Sequence, residues 1–361
     1  MLYWLLYPLK DDISFFRIFG YASFRIVMAA LTALLLTYFV GRPFIFFLQK
    51  LKFGEEVRND GPQSHQTKAG TPTMGGLMFM STMSLSLLLW GNLTNHFFMM
   101  VWLGTLLFSA LGFADDYSKS VLKVRGGMKA RVKLFFQVLI ALGFSVLAYF
   151  FPYNGEVSTV LYIPFLKDPL FDMGPYAILF WTLVITGTSN AVNLTDGLDG
   201  LATGVSVIVL TTLGVFVYIT GVMSLANYLL VPFIPEMNET GVFIGALAGA
   251  AIGFLWFNSY PAEVFMGDTG SLALGGAIGM ISVLVKKELL LLILGGIFVA
   301  EALSVILQVA SYKSTGKRIF KMAPLHHHFE LSGWHENKVV TRFFIVGLIL
   351  ALVALSSLKI Q

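Results

Sequence analysis

Ten apolar runs, each close to the length a bilayer demands, decide what this chain can become. Their approximate cores are 24-47, 74-91, 97-114, 134-151, 176-189, 201-219, 242-257, 272-285, 289-312 and 343-358. A helix needs roughly 17 to 25 apolar residues to cross the hydrocarbon layer, where every backbone polar group must be satisfied within the segment. Of the 361 residues, 57% are hydrophobic and 12% charged, about half the charge of an ordinary soluble domain. The expectation is an all-α polytopic membrane protein with ten transmembrane helices, forming one domain over 1-361. Residues 1-21 have no basic start before a short apolar core, and Asp11 and Asp12 stand where such a core would lie, so the first span reads as an uncleaved anchor. With no cysteine, the chain lacks disulfides, thiolate zinc sites and thiol nucleophiles, which leaves carboxylates, His, Lys or a hard cation for chemistry.

An even number of spans puts both termini on one side, and Lys and Arg choose the side. Fifteen of them fall in odd loops: Lys50, Lys52, Arg58 and Lys68; Lys119, Lys123, Arg125, Lys129, Arg131 and Lys133; and Lys313, Lys317, Arg318, Lys321 and Lys338. Even loops and tails hold six, namely Lys10, Arg17, Lys167, Lys286, Lys287 and Lys359. The positive-inside rule makes the odd loops cytoplasmic and both termini external. Segment 152-175, with four prolines and the β-prone run from Val157 to Ile163, predicts a small external hairpin.

Against this apolar background three acidic places stand out: Asp115-Asp116, the stretch Asn190-Ala-Val-Asn-Leu-Thr-Asp-Gly-Leu-Asp-Gly200, and Asp268. A carboxylate placed in lipid costs roughly 3 kcal/mol on insertion scales, so such clusters call for a functional reason. All three fall in odd loops and face the cytoplasm. Asp115 and Asp116 end a span, where the helix dipole disfavours anions; Lys119 is positioned to offset this at i,i+4. Asp196, Asp199 and Asp268 precede spans, where a carboxylate can cap free N-H groups. Capping alone leaves the glycines of 190-200 and of Phe265-Met-Gly-Asp-Thr-Gly-Ser271 unexplained; these suit close approach of backbone to phosphate oxygens. Carboxylates tolerate a diphosphate when a hard cation stands between them, and Mg²⁺ binds one or two carboxylates together with substrate phosphate oxygens.

His326, His327 and His328 are consecutive, so their imidazoles diverge and do not converge on one ion. They suit substrate positioning; the alternative is an interfacial loop. Lys68-Ala-Gly-Thr-Pro-Thr-Met-Gly-Gly76 opens the second span but does not match a P-loop. In the ninth span Glu301, Ser304 and Gln308 form a polar stripe one turn after Gly295-Gly296. A secondary transporter would place such a stripe on a broken helix at mid-membrane. So would an enzyme that bends a helix to admit a lipid.

The blocks Arg58-Asn-Asp-Gly-Pro62, Gly70-Thr-Pro-Thr-Met-Gly-Gly76, Gly112-Phe-Ala-Asp-Asp-Tyr117, Asn190 to Gly200, Phe265-Met-Gly-Asp268 and His326-His-His328 resemble the polyprenyl-phosphate N-acetylhexosamine-1-phosphate transferases. The triple histidine and the 58-76 block resemble the phospho-N-acetylmuramoyl-pentapeptide transferase branch. The resemblance covers nearly the whole chain. It implies transfer of phospho-N-acetylmuramoyl-pentapeptide from its UDP conjugate to undecaprenyl phosphate, with Mg²⁺, a homodimer in the bacterial inner membrane and no nucleic-acid partner. By the same resemblance Asp115 orients or deprotonates the lipid phosphate beside Asp116, and Asp268 with Asn193 holds magnesium. Lys68, Thr73, Lys119, Asn193, Asp196, Asp199, Asn258 and Phe265 resemble the nucleotide side, with Phe265 stacking on uracil, and the histidines position substrate. Direct attack by the lipid phosphate and a covalent aspartyl intermediate both stay open. A rival within the superfamily uses N-acetylglucosamine instead.

Overall fold

A computed structural model describes residues 1-50, 70-124, 126-152, 159-166 and 169-358. The Arg58 to Pro62 block, Lys68, Arg125 and part of the expected hairpin lie outside the described residues. Fourteen α-helices follow in order: α1 (Leu2–Leu6), α2 (Ala22–Lys50), α3 (Gly76–Trp90), α4 (His96–Ser120), α5 (Ala130–Phe150), α6 (Ala177–Thr195), α7 (Leu201–Thr220), α8 (Met223–Leu229), α9 (Asn238–Asn258), α10 (Gly267–Leu284), α11 (Leu291–Leu294), α12 (Gly296–Thr315), α13 (Leu325–Glu330) and α14 (Glu336–Ser356). Two short antiparallel strands, β1 (Val160–Leu161) and β2 (Phe171–Asp172), pair Val160 with Asp172 and Leu161 with Phe171.

Among the described residues nine helices are long and apolar enough to cross a membrane, so the chain is a polytopic membrane protein. The remaining expected span forms α3, which has 15 residues, about 22 Å of helix at 1.5 Å per residue. Its start is delayed because residues 72-76 run beside 265-266. Phe265 N donates to Pro72 O, Gly75 N to Phe265 O and Gly76 N to Met266 O, at 2.8, 2.8 and 2.9 Å. The ninth run is interrupted where Gly295 separates α11 from α12.

α10 is the most enclosed of the long helices and packs between α4 and α6. α2 and α9 fit together through glycines spaced by four on α9, the small-residue device by which membrane helices approach closely. A side chain at Gly245 or Gly253 would sit 2.6 or 2.8 Å from Ile26 O or Leu34 O, and one at Gly249 would collide with Ala30 O. Met1 N donates to Leu89 O at 3.1 Å, at the end of α3 remote from Gly76, and Leu358 packs on Ile219 and Val231 at the far end of α7. Both ends of the described chain therefore lie opposite the acidic cluster.

Candidate active site

α4 approaches the start of α10 because Gly112 carries no side chain; a Cβ there would collide with Asp268 O. This closeness brings Asp116 over the first turn of α10. Asp116 Oδ1 accepts from Asp268 N at 3.0 Å, and Oδ2 accepts from Thr269 N at 2.9 Å and Thr269 Oγ1 at 2.6 Å. Gly267 makes room at φ 73°; a Cβ there would lie 2.6 Å from Asp116 Oδ2 and 3.1 Å from Thr73 Oγ1. The carboxylate that caps α10 thus comes from another helix. Asp268 itself, in the first turn, makes no cap, which frees its carboxylate to face the site.

Asp268 and Asp115 share two ammonium groups. Lys119 Nζ lies 3.0 Å from Asp115 Oδ2 and 2.8 Å from Asp268 Oδ2; Lys133 Nζ lies 3.3 and 2.7 Å from the same atoms. The expected i,i+4 partnership of Lys119 with Asp115 is present, and Lys119 also reaches across to α10. Two cations balance two anions here, so neither carboxylate is stranded in the apolar surroundings. Asp115 Oδ1 accepts from Met128 N at 2.6 Å, and a side chain on Gly127 would strike that oxygen. On the other flank Asn193 Nδ2 donates to Asp268 Oδ1 at 2.7 Å and to Ser271 Oγ at 2.9 Å. Behind this junction Asn190 Nδ2 donates to Gln137 Oε1 at 3.0 Å, locking α6 to α5 one turn below Asn193 and Lys133.

The other sequence-selected residues surround this junction. Asp196 closes α6. Asp199 Oδ2 accepts from Ala262 N at 3.0 Å, while Asp199 N donates to Glu336 Oε1 at 2.8 Å. Neither acid caps α7, whose N-cap is Gly200. Asn258 is buried and committed internally: its Oδ1 accepts from Thr203 Oγ1 at 2.9 Å and its Nδ2 donates to Val264 O at 3.0 Å. It shapes the loop carrying Phe265, which is half-buried. Thr73 is buried beside Gly267.

The histidines occupy α13 and diverge. His326 is buried against Glu301, His327 Nδ1 lies 2.8 Å from Glu330 Oε2, and His328 Nδ1 accepts from Lys321 N at 3.2 Å. Of the three, His326 reaches the acidic 196-199 turn, because its Nε2 abuts Gly197.

Sequence reasoning did not select Lys133, Thr269, Ser271, Met128, Gln137 or Glu336 as site groups. Lys133 offered one signal, a cation in the first turn of a helix, against the dipole. The others act through backbone atoms or partners far along the chain, which spacing does not encode.

Fold and site together define a membrane-embedded transferase class: residues 98-286, which hold every acid of the junction, match the family model Glycosyl transferase family 4. Residues 68-80 match Phospho-N-acetylmuramoyl-pentapeptide-transferase signature 1. The chain is 52% identical to the phospho-N-acetylmuramoyl-pentapeptide-transferase of Leptospira biflexa serovar Patoc, over 100% of both chains. It is 50% identical to that of Desulforapulum autotrophicum and 51% to that of Geobacter sp. (strain M21), again over 100% of both. The chain belongs to the phospho-N-acetylmuramoyl-pentapeptide-transferase family.

Proposed function

We propose that this chain transfers phospho-N-acetylmuramoyl-pentapeptide from UDP-N-acetylmuramoyl-pentapeptide to undecaprenyl phosphate, giving lipid I and UMP. The observation that carries this reading is the junction of Asp115, Asp268, Lys119, Lys133 and Asn193 at one end of the bundle. Paired carboxylates and ammonium groups there suit a diphosphate and a divalent cation together. The names of the full-length relatives support the substrate. A lipid phosphate oxygen forms a bond to the sugar-bearing phosphorus, and the bond from that phosphorus to the bridging oxygen breaks, releasing UMP.

The donors suit Mg²⁺ in kind, since Asp115 Oδ2 and Asp268 Oδ2 are hard oxygens that face common cations, while among the described residues no three acids or histidines gather on one point. Asp268 and Asn193 would hold the ion, which supplies charge neutralisation at the phosphates. Asp115 orients the attacking lipid phosphate or takes its proton. Asp116 fixes the start of α10, and with it Asp268. Lys119, with a side chain 40% exposed, and Lys133 stabilise charge on the phosphate oxygens. Phe265 stacks on uracil, with Lys68, Thr73, Asp196, Asp199 and Asn258 shaping the nucleotide side and His326, His327 and His328 the sugar-peptide side. The site faces the cytoplasm of the bacterial inner membrane, with ten spans, both termini and the hairpin external, and the chain acting as one domain in a homodimer.

The direct test incubates the purified protein with undecaprenyl phosphate, Mg²⁺ and each UDP-sugar, and follows UMP release. Release with the muramoyl-pentapeptide conjugate is expected. Release with UDP-N-acetylglucosamine alone would overturn the substrate assignment.

A further inference from the structure

The proposed chemistry leaves Glu301 unused, although it is a fully buried carboxyl on a membrane-spanning helix. Such a group is costly in lipid and marks function by default. Here it faces α13. Glu301 Oε1 and Oε2 accept from His326 N at 3.1 and 3.4 Å, and Oε2 lies 3.2 Å from His326 Nδ1. One turn on, Ser304 Oγ donates to Glu301 O at 2.7 Å. Two turns on, Gln308 Oε1 accepts from Ile319 N and Phe320 N, both at 3.0 Å. Glu301 and Gln308 of α12 thus fasten the following segment at Ile319, Phe320 and His326.

His326 carries the contact onward. Its ring is buried and, like Nδ1, its Nε2 makes no hydrogen bond among the described residues. That nitrogen abuts Gly197, between Asp196 and Asp199, where any side chain would collide with it. Nδ1, 3.2 Å from Glu301 Oε2 though not in hydrogen-bond geometry, is assigned the hydrogen on electrostatic grounds, because a lone pair facing a carboxylate is repelled.

We propose that Glu301 is a positioning residue: acting through His326, it holds the Asp196 to Asp199 turn and ties that turn to α12. Resting on the transferase reading above, this makes the turn that faces the nucleotide sugar answer to the helix broken at Gly295. Glu301→Gln is the deciding substitution. It keeps the size and one acceptor for His326 N, but presents an NH₂ to Nδ1 and so forces the imidazole proton onto Nε2, against Gly197.

The test uses the full chain in lipid nanodiscs, with Glu301→Gln, Glu301→Ala and the outward-facing Leu303→Ala as control. ¹⁵N-histidine spectra, assigned with His326→Gln, are expected to show the His326 proton leaving Nδ1 in Glu301→Gln. Amide hydrogen exchange at 195-200 rises in both Glu301 variants and stays unchanged in Leu303→Ala. The apparent KM for the UDP-sugar rises about tenfold in Glu301→Gln, with kcat within about twofold, a loss confined to binding. Unchanged His326 signals and unchanged exchange at 195-200 in Glu301→Gln would overturn the proposal, and Gln decides the matter even where Ala fails to fold. Absence of UMP release from the wild type with any UDP-sugar would refute the transferase reading alone, since spectra and exchange still report on Glu301.

Discussion

Asp116 and Asp268 adjoin in space yet do different work, and substitution separates them. Asp116 accepts three hydrogen bonds from the first turn of α10, so Asp116→Ala removes a cap worth about 0.5 to 2 kcal/mol and leaves buried donors unmet. It is expected to lose both activity and several degrees of thermal midpoint. Asp268→Asn removes a charge from the junction but no cap; activity should fall more than tenfold, with a smaller loss of midpoint than in Asp116→Ala. Equal midpoint losses in the two variants would mean that Asp268 is also structural. Phe265→Ala is expected to weaken nucleotide binding, read by UMP titration, by the roughly 1 to 3 kcal/mol of a lost base stack, with kcat less affected. Untouched affinity would make Phe265 an interfacial anchor. The acids were legible in the sequence because polar residues in so apolar a chain have few bland explanations. Their division of labour was not, since a cap supplied by Asp116 to residues 268-269 depends on helix packing that only Gly112 hints at.

At the scale of elements, every apolar run became helical, the ninth in two pieces and the second too short to count among the nine candidate spans, because hydropathy sustained over about 14 or more residues outweighs local preference. Where helices begin was less legible: α3 starts late because 72-76 is bound to 265-266, a pairing across nearly two hundred residues. The glycine stripe on α9 needs the α2 backbone beside it before it carries meaning. Gly249→Val is expected to force α2 and α9 apart, costing at least the 1 to 3 kcal/mol typical of overpacking and lowering the yield of detergent-stable protein. A normal yield and midpoint would show that this contact tolerates bulk. The far end of α10 holds a buried group of another kind. Burial pushes Lys287 down to about 8, with Glu288 opposing the shift, and its Nζ stands 5.5 Å over the Phe216 ring. Between about pH 8 and the usual lysine value near 10.4 the unfolded chain binds a proton that the folded chain does not, so stability rises with pH in that window. Below it the buried charge is a cost. Lys287→Met should therefore raise the thermal midpoint at pH 7, with the advantage fading as pH climbs past 8. An advantage independent of pH would trace it to packing.

Across the whole molecule, the proposed reaction keeps the lipid's tail in the bilayer with its phosphate beside Asp115 and Asp268, and on that reading the bundle needs a wall that opens sideways. α12 meets the description. It is set off from α11 at Gly295 (φ −87°, ψ 20°); its Glu301 and Gln308 turn inward onto His326 and residues 319-320, and Ser304 is buried on the same stripe, bonded to its own helix. Leu303, Ile306 and Leu307, exposed by 48%, 60% and 49%, turn outward. On the proposed reaction, a polar inner stripe and an apolar outer face would let one helix bound the site and the lipid at once. Gly295→Ala tests the break, because Ala favours continuous helix by about 1 kcal/mol over Gly, and its Cβ would lie 2.9 Å from Leu291 O in the present bend. Gly296 is a poorer choice, since a side chain there would meet Leu350 of α14 at 2.9 Å and confuse straightening with collision. Gly295→Ala is expected to raise the apparent KM for undecaprenyl phosphate about fivefold, the equivalent of that 1 kcal/mol, and to leave the KM for the nucleotide sugar unchanged. Equal rises for both substrates would mean that the break serves the fold as a whole, and an unchanged lipid KM would remove α12 from the lipid's path.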